Sequence, residues 1–161
     1  MLSYYGIIQE RGDIVNTEKN GVGGINIEKF PPLLRDKLKD GKIQFPENTQ
    51  FEYMPILGYR MIMREDCNDI RVTREDFRSH AELGILVRGV CPEDMPEYYG
   101  ASLYKDKKKL ANIFKLPKPG KILARGHVVQ DGGPQLTNEK TKHVYWWVYE
   151  DVDVSDFKVE E

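Results

Sequence analysis

The sequence predicts an α+β fold: a single domain over residues 1–161, with a mainly antiparallel, curved sheet and a few short peripheral helices. Strand-like runs outnumber helical ones along the chain. The connections between them are too short for helical crossovers, so neighbouring strands must run antiparallel. The 14 glycines and 9 prolines cluster between the apolar segments, as short turns require. An all-β barrel with peripheral helices is the alternative architecture. A domain of this length buries about two-thirds of its unfolded surface, enough for a core without staples.

The elements follow in order. Tyr4–Gln9 is short, aromatic and β-branched, and reads as a strand. Gly12 in Glu10–Asp13 supplies a turn, Ile14-Val15 starts a return strand, and Asn20–Gly24 is a loop. Pro31-Pro32 opens a short helix carrying Leu33, Leu34 and Leu38, and Gly41 stops it. Gln50–Leu57 and Tyr59–Arg64 read as strands around Gly58, the first an edge or bulged strand because of Pro55. Thr73 followed by Glu75 and Asp76 starts a short helix from about Arg74 to Leu83. Gly84–Val90 is a further apolar strand candidate, and Tyr98–Tyr104 another. Asp106 caps the clearest helix, in which Leu110, Ile113 and Phe114 form a stripe that Leu116-Pro117 ends. Lys121–Gln130 is a strand, Asp131–Pro134 a turn, His143–Glu150 the strongest strand, and Val152–Val159 a final extended segment.

Composition excludes several classes. Lys plus Arg is 24 and Asp plus Glu is 26, a net charge of −2 that argues against a globally basic nucleic-acid binder. No apolar run approaches the roughly 18 residues of a bilayer span. Met1–Glu10 lacks the basic and apolar regions of a secretory signal. Cys67 and Cys91 form no CxxC pair, so a reduced, cytoplasmic setting is expected. His80, His127 and His143 are too far apart in sequence for a zinc motif, and no metal is expected. Gly21–Gly24 matches no phosphate-binding fingerprint. Glu65, Asp66 and Asp69 could bind a hard cation, but they read more simply as a solvated loop.

Three residues fall where their chemistry is costly. Alternation puts Val144, Trp146, Val148 and Glu150 on one strand face, so a carboxylate sits at the edge of an apolar stripe, unless the strand ends at Tyr149. Arg60 shares a face with Ile56, Gly58 and Ile62 and needs an anion, a protein carboxylate or a ligand phosphate. Ser102 follows the small pair Gly100-Ala101, which permits close backbone approach or simply a local bulge.

In this order, Gly58–Arg60 (GYR), Tyr98–Phe114 (YYGASLYKDKKKLANIF) and Trp146–Glu150 (WWVYE), the chain resembles ADP-ribosyltransferase-like proteins of the Arg–Ser–Glu kind over its C-terminal two-thirds. Ser102 stands alone where that family carries Ser-Thr-Ser, and Val148 precedes Glu150 by two. The same run is similar to small bacterial proteins with a GxSxxxD strand–helix and a late WW.YE strand. The resemblance implies NAD as co-substrate. Arg60 would then hold its pyrophosphate or ribose, Ser102 would support the nicotinamide strand, and Tyr99 or Tyr104 would stack on the ring. Glu150 would stabilise an oxocarbenium-like transition state.

Three function classes stay open: an NAD-consuming ADP-ribosyl transfer or glycohydrolase enzyme, a non-catalytic protein-interaction module such as an inhibitor or immunity partner, and a nucleic-acid-binding accessory protein. The last would use the eight basic residues between Lys105 and Arg125, with Tyr145, Trp147 and Tyr149 as a stacking ladder if exposed.

Overall fold

The computed structural model describes residues 25–66, 68–86 and 92–160. The readings for Tyr4–Gln9, the Gly12 turn, Ile14-Val15 and Asn20–Gly24 lie outside these residues, as does most of Gly84–Val90.

The fold is α+β. Strands β1 (Ile56–Met63), β2 (Ala101–Tyr104), β3 (Lys121–Val128), β4 (Gln135–Asn138), β5 (His143–Trp146) and β6 (Lys158–Val159) form one open sheet in the order β4-β5-β2-β1-β3-β6. Every neighbouring pair is antiparallel. β1 and β3 pair along their whole length, from Ile56↔Val128 to Met63↔Lys121. β1 and β2 pair only at Tyr59↔Tyr104.

Among the described residues three α-helices accompany the sheet: α1 (Pro32–Lys39), α2 (His80–Leu83) and α3 (Lys107–Phe114). Pro32 sits in the first turn of α1, where its missing N–H costs nothing, and Gly41 follows its end at φ +68°. Asp106 caps α3 by accepting from the Lys108 and Lys109 amides, 2.8 and 3.2 Å away. Within the expected stripe of α3, Leu110 is buried and Phe114 half-buried, while Ile113 faces out.

The helix expected over Arg74–Leu83 is two pieces. A 3₁₀ turn spans Arg74–Phe77, the chain extends at Arg78, and α2 restarts at His80. Ser79 drives the restart: its hydroxyl accepts from the Glu82 amide while the Glu82 carboxylate accepts from the Ser79 amide. Tyr98–Tyr104 likewise divides into a 3₁₀ turn at Pro96–Tyr99 and β2, because Pro96 at the turn's start donates no ladder hydrogen bond. Of the strand expected over Gln50–Leu57, only Ile56 and Leu57 form one, as the start of β1, and Gln50 makes an isolated bridge to Gln135.

Apolar side chains pack on both faces of the sheet. On one face Ile62, Ala101, Leu103, Val144 and Trp146 meet Phe77 and Phe157. On the other, Trp147 and Tyr99 meet Phe30 and Leu34 of the α1 region. The strand expected over His143–Glu150 stops at Trp146, and residues 147–149 continue as extended chain bonded to Pro134 and Gly132.

Candidate functional site

The β1–β2 ladder ends after one pair, and Arg60 takes over where it stops. Its Nε donates to the Asp76 carbonyl (2.6 Å), Nη1 to the Ser102 carbonyl (2.7 Å) and Nη2 to the Arg78 carbonyl (3.1 Å). The guanidinium lies over the Phe77 ring, 5.5 Å from its centroid. Burial lowers its pKa to about 10, against the pull of Asp76, so it stays charged at neutral pH. In place of the carboxylate or phosphate that the sequence demanded, Arg60 is bonded to three neutral backbone carbonyls.

The opening beside Arg60 is a cleft of about 630 Å³. Among the described residues its walls are largely apolar, with Met61, Met63, Leu83, Ile85 and Phe114 contributing. Its polar end is built by β2 and β5. Ser102 Oγ lies 2.5 Å from His143 Nε2. The Ser102 hydroxyl can donate to Nε2, or an Nε2–H can donate to the hydroxyl oxygen. The imidazole stacks on Tyr104 at a centroid distance of 4.6 Å and meets Tyr145 at 4.1 Å. Burial between the rings drops the His143 pKa to about 4, so the ring is neutral near pH 7. Burial also raises the Tyr104 and Tyr145 hydroxyls. His80 lines the cleft too, and burial and then Arg60 lower its pKa.

Tyr104, His143 and Tyr145 form a partition. On its far side lies a second, more open hollow of about 550 Å³, edged by Lys109, Asn112, Asn138 and Thr141.

Of the residues singled out in the sequence, Arg60, Ser102 and Tyr104 reach the cleft. Glu150 does not, contrary to the expected common site. It follows the end of the β5 extension, its amide donates to the Lys29 carbonyl, and its side chain is exposed. Strand alternation fails to carry Glu150 inward because the chain turns at Glu150–Asp151. Tyr99 is also absent from the cleft lining: it is buried in the α1-side core and its hydroxyl donates to the Glu93 carbonyl. Gly100 lines the cleft while packing on Trp147, and Ala101 is core.

The stacking ladder is not exposed either. Trp147 is fully buried and Tyr145 and Tyr149 are half-buried. In the basic stretch, Lys105 pairs with Glu139 and Lys107 with Glu160, while the Lys109 ammonium donates to the Lys140 carbonyl.

Two features escaped the sequence. His143 belongs to no metal motif, yet it meets Ser102 across the β2–β5 pair. Arg64 makes a bidentate pair with Asp76, at 2.5 and 2.8 Å, with both side chains largely buried. The signal for His143 is its phase: it alternates with Val144 and Trp146 and so shares the face of Ser102. Among the described residues no group of three His, Cys, Asp or Glu side chains could hold a metal ion. No helix there is long and apolar enough to cross a membrane. No family model, curated protein or solved structure matches the chain.

Proposed function

We propose that this protein binds a small molecule bearing a planar ring in the cleft beside Ser102, His143, Tyr104 and Tyr145. The carrying observation is a cleft of about 630 Å³ with largely apolar walls, lined also by Glu75, Asp76, Arg78, His80 and Glu97, that holds a polar corner, the Ser102–His143 contact, between aromatic rings. Concave, mainly apolar sites with few fixed polar groups are the usual form of small-molecule sites. The apolar walls favour a flat ring, and the Ser102–His143 corner reads its polar edge. The nicotinamide or adenine ring of NAD is the ligand to which the sequence resemblance points, in a cytoplasmic setting. ADP-ribosyl transfer through Glu150 gains no support from this geometry, because that carboxylate sits elsewhere.

Calorimetric titration with NAD, ADP-ribose, adenosine and nicotinamide tests the reading. At least one should bind, and Tyr145→Ala should weaken it about tenfold, the value of one aromatic contact near 1.4 kcal/mol. Absence of binding by all four, or binding indifferent to Tyr145→Ala, contradicts it.

A second reading has its own observation. Met63, Leu83 and Ile85 line the cleft and are 68, 50 and 43% exposed, a contiguous apolar mouth that also suits a protein partner. If the ring ligands fail, this interaction-module reading stands.

A further inference from the structure

We propose that Ser102 is a nucleophile with His143 as its general base, acting on a small ester whose aromatic part fills the apolar cleft. The proposal rests on the ring-binding reading of the cleft and adds a reaction to it.

Four observations converge on Ser102. Its Oγ lies 2.5 Å from His143 Nε2, within the reach a base needs to take a hydroxyl proton. The imidazole is held from two sides by Tyr104 and Tyr145, so its approach to Oγ is fixed. Its burial keeps it neutral at pH 7, and the tautomer protonated at Nδ1 leaves the Nε2 lone pair free to accept. Both residues open on the cleft, where a reacting carbonyl has room. Arg60 completes the arrangement. Its guanidinium donates to the carbonyl oxygen of Ser102 itself, which ties the nucleophile's own residue to β1. That bond also holds the backbone under the nucleophile.

The step balances without an added oxidant or metal. Ser102 Oγ forms a bond to the ester carbonyl carbon as its proton passes to His143 Nε2. The C–O bond to the alcohol then breaks, and the leaving oxygen takes that proton. Water attacks the acyl-serine, gives its proton to His143 Nε2, and the acid departs as Ser102 recovers the proton.

The test uses the full chain and an aryl fluorophosphonate. Its P–F bond breaks as Ser102 Oγ bonds to phosphorus, fluoride leaves, and the adduct is read by mass spectrometry of peptides. The expected result is one adduct, on Ser102, absent from Ser102→Ala and formed at least about 100-fold more slowly in His143→Ala and His143→Gln. The glutamine variant keeps a polar partner for Ser102 but no base, so it serves if His143→Ala fails to fold. Hydrolysis of 1-naphthyl acetate should fall in parallel. No adduct on folded parent protein, an adduct elsewhere, or equal rates in His143→Gln overturns the proposal. Ring binding with no adduct rejects the nucleophile alone. If no ring compound binds and no adduct forms, both readings fall.

Discussion

Arg60 donates to three carbonyls, and that arrangement predicts what its loss should do. Arg60→Met should lower stability by about 2–6 kcal/mol, since the two part-buried carbonyls it orphans, of Asp76 and Ser102, cost about 1–3 each. Arg60→Lys should recover only part, because an ammonium lacks the planar fork that spans three acceptors. Urea unfolding measures both. Glu150 provides the contrast. Its side chain is exposed, so Glu150→Gln should change stability by less than about 0.5 kcal/mol and leave cleft binding intact. In sequence these two residues posed the same problem, a charge on an apolar strand phase. The alternation that exposed the problem was real for Arg60 and ended before Glu150. His143 adds a pH dependence. Its folded pKa of about 4 lies below that of an unfolded imidazole, about 6.5, so the unfolded chain takes up the proton first as pH falls. This contribution to stability is complete above about pH 6.5, declines through the window down to about 4, and then levels. His80 shifts in the same direction and adds to it. The fall in urea midpoint between pH 7 and pH 5 should shrink in His143→Gln; an unchanged fall would place the titration elsewhere.

The elements that were legible carry their own punctuation: α1 between Pro32 and Gly41, α3 behind the Asp106 cap, β3 ahead of its turn. Those that were not carry no such signal of their own. β4 is the polar run Gln135–Asn138, and pairing with β5 makes it a strand. Gln135 is fully buried there, its side chain bonded to Gln50 and Thr137. The break at Ser79 was hidden because two caps, Thr73 and Ser79, lie only six residues apart and each starts a separate turn. Ser79→Ala should cost about 1 kcal/mol and loosen α2, which borders the cleft. Thermal unfolding measures the loss, and hydrogen exchange at Leu83, whose amide bonds to the Ser79 carbonyl, locates it. β3 crosses β1 with Gly126 at its centre because nothing larger fits: a Cβ there would lie 2.5 Å from the Phe157 ring. Gly126→Ala should therefore destabilise by about 1–3 kcal/mol through overpacking, and a neutral result by urea unfolding would mean that Phe157 moves freely.

At the scale of the whole molecule, one open sheet with apolar packing on both faces leaves its β1–β2 seam incomplete, and the cleft lies at that seam. Fold class followed from local pattern, because short connections force antiparallel pairing. The site did not. It is assembled from β1, β2, β5 and the turns around Arg78 and Tyr98, and no periodicity within any one of them announces the others. Ser102 and His143 are 41 residues apart and meet only through the β2–β5 register. The measurement that tests the central claim most directly is an amide chemical-shift map of the full chain titrated with NAD and with its separate nicotinamide and adenosine parts. The predicted shifts cluster at Ser102, Tyr104, His143, Tyr145 and Leu83, saturate with ligand, and spare Glu150. Shifts centred on Glu150 and Lys29, or no saturable shift with any of the three, would contradict a ring-binding cleft at the β1–β2 seam.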